Sequence, residues 1–156
     1  MTEGPRIETE EEVMFFDTDC GGVVHNIAYL RFIETARTRL AALLGLSVKE
    51  MAAEQRFAVL VRTEIDYFRP ATLGDRLRIT GGLHSFDRVR FWCAFEVWPE
   101  EGKAPLTQCH QLLAVVQMPS GRPQPLPECV KEAAPGLEHK RVPKTFSGFA
   151  ALTSQS

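Results

Sequence analysis

The sequence predicts an α+β domain in which one long helix packs on one face of an antiparallel sheet of five or so strands. Three observations predict it. Apolar residues recur at spacings of three and four through one long stretch, as on one face of a helix. Apolar and polar residues alternate through several later stretches, the period of strands with one buried face. The order is strand, long helix, then four strands, with strands too close in sequence for parallel crossovers. One helix laid on an antiparallel sheet is the economical arrangement.

The first strand is expected near residues 8–16. Residues 1–20 hold seven acidic residues and one basic one, and Glu10, Glu11 and Glu12 read as a solvated strand edge or a lead-in. The long helix is expected over residues 27–44, where Tyr29, Phe32, Ile33, Ala36, Leu40, Leu43 and Leu44 make the apolar stripe. Arg31, Arg37 and Arg39 lie mostly off it. Asn26 stands where a side-chain oxygen caps free N–H groups, and Gly45 stands where a helix C-terminus prefers glycine. A short second helix fits residues 48–54. Val59, Val61, Ile65 and Tyr67 then alternate with Leu60, Arg62, Glu64 and Asp66. Leu77 and Ile79 alternate with Arg76 and Arg78. Val89, Phe91, Cys93, Phe95 and Val97 alternate with Arg88, Arg90, Trp92, Ala94 and Glu96. A last long strand covers about residues 106–118. Pro70, Gly74, Asp87, Pro99 and Gly102 punctuate the gaps. Trp92 and Trp98 share the polar face of their strand, which marks them for packing between subunits. Residues 1–118 read as the domain. Residues 119–156 read as a proline-rich, largely irregular extension with a helical turn or two near 128–134.

Composition narrows the function classes. The chain has 156 residues, 44% of them hydrophobic, the length of one ordinary domain. Eighteen basic and twenty acidic residues give a net charge of -2, which disfavours nucleic acid as a partner. No apolar run approaches the roughly 20 residues that span a bilayer, and the start lacks the layout of a secretory signal. A cytoplasmic protein with no membrane partner is expected. Cys20, Cys93, Cys109 and Cys129 form no paired spacing and read as free thiols in a reducing compartment. With the histidines equally scattered, no metal site is expected.

Two stretches carry a family resemblance. Phe16-Asp17-Thr18-Asp19-Cys20-Gly21-Gly22-Val23-Val24 is followed by Tyr29-Leu30-Arg31-Phe32-Ile33-Glu34-Thr35-Ala36-Arg37. Later come Asp66-Tyr67-Phe68-Arg69-Pro70-Ala71 and Gly74-Asp75-Arg76-Leu77. Together they resemble hotdog-fold acyl-CoA thioesterases of the 4-hydroxybenzoyl-CoA thioesterase type, over about residues 6–118. The resemblance implies a long central helix wrapped by a curved antiparallel sheet. It also implies a homodimer, or a homotetramer built from such dimers, with the active site at the subunit interface. The substrate implied is an acyl-CoA thioester, and no cofactor is called for.

Hydrolysis of a thioester needs an activated attacking group and a donor for the oxyanion. By its place in the motif, Asp19 matches the family's carboxylate, acting as general base or nucleophile. Read without the motif, it is a turn residue steadying the Gly-Gly bend. The backbone N–H of Asn26 matches the position that polarises the carbonyl, at the positive end of the helix. Near relatives often carry Tyr-His where this chain has His25-Asn26, so His25 is read either as a pocket residue or as a loop residue. Gly22, Val23, Tyr29, Arg62 and Thr63 complete the expected substrate-binding set. Glu34 is expected to tie the helix to the motif loop. Two alternatives stay open: a non-catalytic acyl-CoA-binding hotdog protein, and a thioesterase acting on an acyl carrier protein or polyketide thioester.

Overall fold

The structure, a computed structural model, describes residues 4–153. Residues 1–3 of the predicted domain and residues 154–156 of the predicted extension lie outside that range. Strand β1 (Arg6–Glu12) leads through a 3-10 turn at Phe15–Asp17 into helix α1 (Asn26–Leu43). Helix α2 (Val48–Glu54) follows, then strands β2 (Arg56–Tyr67), β3 (Arg76–Phe86), β4 (Arg90–Pro99) and β5 (Thr107–Gln117). A two-residue strand β6 (Arg122–Pro123) and helices α3 (Glu128–Ala133) and α4 (Gly148–Thr153) lie in the extension. The first strand stops at Glu12, short of its predicted end, because the chain turns there to start the motif loop.

Helix α1 buries Ala28, Tyr29, Phe32, Ile33, Ala36 and Leu40 against β1, β3 and β4. Leu43, read as part of the apolar stripe, is exposed. Gly45 takes a positive φ of 79°. Around it the Leu46 N–H reaches the Ala41 carbonyl and the Gly45 N–H reaches the Ala42 carbonyl, the paired pattern that closes a helix on a left-handed glycine. A side chain here would also strike the Cys129 Sγ.

The sheet order is β1-β3-β4-β5-β2, with β6 on β5. The pairs that join the strands are antiparallel. Of the two edges of the five-strand path, β1 is charged: Glu8 and Glu10 meet Arg78 and Arg76 across the ladder. Edge β2 is apolar and open, with Val59, Leu60 and Val61 exposed. The predicted single alternation through β2 breaks at a bulge between Leu60 and Arg62. An extra residue flips the facing of everything beyond it. Ala58 and Leu60 therefore share the helix side with Thr63 and Ile65.

The extension is more than an irregular tail. After α3 the chain crosses the sheet's outer face as a strap. Val142 joins Trp92 and Leu112 in a second buried cluster, with Phe146 and Phe149 packed against it. Trp92, predicted to meet another subunit, is fully buried by its own chain and donates Nε1–H to the Pro143 carbonyl at 2.9 Å. Trp98 remains half-buried beneath the Arg78 guanidinium. The Val142 N–H donates to Asp87 Oδ2 at 2.9 Å, Arg90 donates to the Val142 carbonyl at 2.8 Å, and the Phe146 N–H donates to Glu64 Oε2 at 2.7 Å. No helix among the described residues is long and apolar enough to cross a membrane.

His84, His110 and His139 surround the two strap phenylalanines. Burial, then the charge of His110 and His139, holds His84 below the usual histidine range. Burial holds His110 low as well, against the opposite pull of Glu64, Asp66 and Glu96. Burial pushes Asp87 up, but hydrogen bonds from Val142, Arg90 and Val89 and the Arg90 charge outweigh it and hold the carboxyl low. A group whose folded pKa is depressed contributes stability above its unfolded pKa and loses it as pH falls. Stability is therefore expected to drop in two stages, one below about pH 6.5 and one below about pH 4. Urea midpoints measured against pH check this. A midpoint unchanged between about pH 7 and about pH 5 contradicts the histidine stage.

Candidate active site

The motif loop is built on Asp17. Its carboxylate is buried and accepts the Met14 N–H at 3.0 Å and the Arg31 guanidinium at 3.2 Å. Its carbonyl accepts the His25 N–H at 3.0 Å. Arg31 also pairs with Glu11, so it is Arg31 that ties the helix to the loop. Glu34, expected in that role, instead pairs with Arg37 at 3.9 Å. It lies almost one helical turn beyond Arg31, and its side chain is largely exposed.

Asp19 opens a tight turn. Its N–H donates to the Val23 carbonyl at 2.9 Å, and its carbonyl accepts the Gly22 N–H at 3.1 Å. Its Oδ1 accepts the Gly21 N–H at 2.8 Å. The bend reading of Asp19 thus describes one of its two oxygens; Oδ2 has no hydrogen-bond partner among the described residues. Asp19 is exposed in the single protomer. Gly22 carries the turn's positive φ, 78°, a region that side chains rarely adopt. The turn is pinned from outside. Val23 bridges Thr72, the Val24 N–H donates to the Ala71 carbonyl at 2.8 Å, and the Leu73 N–H reaches the Gly22 carbonyl.

His25, not Asn26, is the helix N-cap, and its Nδ1 accepts the Ala28 N–H at 3.1 Å. That bond requires the imidazole proton to sit on Nε2. Asn26 is the first helical residue. No acceptor among the described residues reaches the N–H of Asn26 or Ile27, as expected for the first turn of a helix. An 18-residue helix with two such groups at its end favours developing negative charge there.

Beside that end lies a cleft of about 240 Å³ lined by Val24, Asn26, Tyr29, Tyr67, Phe68, Arg69 and Pro70. The Tyr29 hydroxyl accepts the Ala71 N–H, and the Tyr67 hydroxyl donates to the Asn26 carbonyl at 3.0 Å. The two rings meet edge to face at 5.5 Å. Burial raises both phenols above their ordinary value, so neither serves as a base near neutral pH. Tyr67 and Phe68 were missed as site residues. Their signal lay in the second recurrent stretch, whose role only the fold discloses.

On the β2 side of α1 lies a second cleft of about 260 Å³, which includes Ile27, Leu30, Leu60 and Thr63. Arg37 donates to Gln111 Oε1 at 2.8 Å, and Gln111 donates to Thr63 Oγ1 at 3.2 Å. Thr63 therefore faces the helix. Arg62 does not: it pairs with Glu64, the residue that holds the strap, and so lies on the outer face. Arg62, expected with Thr63 to contact the acyl group, thus lies on the opposite face of the sheet from Thr63 in the single protomer.

The cysteines are free. Burial pushes Cys93 and Cys109 up to about 12, against a weaker opposing pull from Arg37, which keeps both as thiols. Among the described residues no cluster of His, Cys, Asp or Glu is arranged to hold a metal ion.

A family model described as the Thioesterase-like superfamily matches residues 13–134. A 1,4-dihydroxy-2-naphthoyl-CoA hydrolase of Synechocystis is 29% identical over 131 residues, covering 83% of this chain and 95% of the relative. An acyl-CoA thioesterase, YbgC of Haemophilus influenzae, is 41% identical over 68 residues, covering 43% of this chain and 50% of the relative. The crystal structure of Slr0204, a 1,4-dihydroxy-2-naphthoyl-CoA thioesterase from Synechocystis, superposes with a TM-score of 0.74 at 26% identity. It covers 83% of this chain and 95% of that one. The long helix held by a five-strand antiparallel sheet is thus the predicted hotdog fold, and the chain belongs to the Thioesterase-like superfamily.

Proposed function

We propose that this protein hydrolyses an acyl-CoA thioester to a free acid and CoA, in a site completed between two copies paired through β2. The observation that carries the reading is an exposed carboxylate, Asp19, on the hydrogen-bonded loop that leads directly into the free first-turn N–H groups of α1. The relatives named 1,4-dihydroxy-2-naphthoyl-CoA hydrolase and acyl-CoA thioesterase support the substrate class.

The Asn26 N–H is positioned to donate to the thioester oxygen as negative charge develops on it. Asp19 either takes a proton from attacking water or attacks the carbonyl itself. His25 holds the helix end, and Gly22 and Val23 shape the backbone beside the carboxylate. Tyr29 lines the cleft next to Asn26, and Thr63 lines the cleft toward β2. The exposed apolar run Val59, Leu60 and Val61 on an unpaired edge is an invitation to edge pairing. An isologous dimer satisfies it and brings a second copy's surface toward the open clefts.

The test is release of CoA thiol by the purified chain from a panel running from acetyl to long-chain acyl-CoA, with aryl and hydroxyaryl CoA thioesters included. Turnover of at least one member is expected, with hydroxyaryl thioesters among the best. No thiol release across the panel overturns the proposal.

A further inference from the structure

Residues 142–149 are held on the outer face of the sheet by side chains from five separate places. Glu64 of β2 takes the Phe146 N–H, and Asp87 in the β3–β4 turn takes the Val142 N–H. Arg90 and Trp92 of β4 reach the carbonyls of Val142 and Pro143. His110 of β5 stacks on Phe146 at 3.6 Å, nearly parallel. The bulge between Leu83 and Ser85 sets His84 edge-on to Phe146 and Phe149. Beneath lie Trp92 and Leu112, both essentially inaccessible. Uncovered, they would form an apolar patch on the sheet face opposite α1, the kind of surface that draws a protein partner.

The strap's own outward side is different in kind. Lys140, Arg141 and Lys144 are exposed, and none has a carboxylate within ion-pair reach among the described residues. A twofold contact sets a patch against its own copy. Here it would oppose like charges, Lys140, Arg141 and Lys144 against their own copies.

We propose that this strap is a built-in cap that occupies the place of a second copy of the chain on the outer sheet face, closing that face to assembly while the β2 edge stays open. The homotetramer implied by the family resemblance then cannot form by stacking outer faces. This inference stands apart from the catalytic reading, since neither Asp19 nor Asn26 touches the strap.

The test uses the full chain in a Trp98→Phe background, so that Trp92 alone reports. Phe146→Ser with Phe149→Ser loosens the cap. Two readings follow: acrylamide quenching of Trp92, and mass by sedimentation velocity. The expected result is a several-fold rise in quenching together with a rise in mass of about twofold over the parent. Trp92 exposed with mass unchanged overturns the proposal, because the uncovered face then recruits nothing. Trp92 still protected also overturns it, because the strap then does not depend on these contacts. If circular dichroism shows the double variant unfolded, Asp87→Asn decides by the same two readings, since it weakens a tether without altering the apolar cluster. A parent whose mass falls on Leu112→Lys, with circular dichroism showing the variant folded, already assembles through this face, which refutes the cap outright.

Discussion

Asp19→Asn is expected to lower kcat/KM for thioester hydrolysis by about 10³-fold or more, with little change in thermal midpoint. The asparagine keeps an Oδ1 that accepts the Gly21 N–H, so the turn from Asp19 to Gly22 survives. What it loses is the charge and basicity of the second oxygen, which has no other task in the protomer. A thousandfold loss is about 4 kcal/mol of transition-state stabilisation, more than loop distortion alone accounts for when the fold is intact. Asp19→Ala removes the turn bond too, so comparing the two variants separates catalysis from loop geometry. Equal loss with an unchanged midpoint for both points to chemistry. An asparagine variant that turns over within tenfold of the parent, with the loop intact, leaves the carboxylate without a catalytic role.

Phe32→Ala should be the most damaging single truncation, at about 3–5 kcal/mol. Phe32 lies at the centre of the buried face of α1 and is fully inaccessible. Its ring stands edge to face with Tyr29 at 6.2 Å, and the Arg31 guanidinium sits 4.7 Å over it. Removing it opens a cavity that the rigid helix and sheet cannot close. A typical domain is stable by only about 5–15 kcal/mol, so this variant should be close to unfolding at physiological temperature. Because Tyr29 lines the cleft and Arg31 clamps Asp17, activity should fall further than the folded fraction does. Urea denaturation alongside initial rates checks both. A stability loss under about 1 kcal/mol contradicts the packing described.

Those two sites differ in how legible they were. The burial of Phe32 follows from the spacing of Tyr29, Phe32, Ile33, Ala36 and Leu40, and the observed helix differs from the predicted limits by one residue at each end. Asp19 is a candidate only through its motif. Spacing alone favoured a turn residue, and the turn is indeed there. The cap was misassigned to Asn26 because capping preferences rank residue types. They do not register that the His25 N–H is already held by the Asp17 carbonyl, which sets His25 in the extended conformation that a cap requires.

What the sequence determined by itself was everything that repeats over short range. Periods of 3.6 and 2 set the helix and the strands, Gly45 closed α1, and a local loop motif carried the proposed chemistry. Only the tertiary structure decided which face each residue serves and what covers it. A bulge at Val61 sent Arg62 to the outer face and Thr63 to the helix side. A strap fifty residues downstream buried Trp92, which period-two patterning had assigned to an exposed face. The physical reason is common to both. A bulge is one residue out of phase with no compositional mark, and a strap is held by contacts between segments far apart in the chain, so neither leaves a local pattern to read.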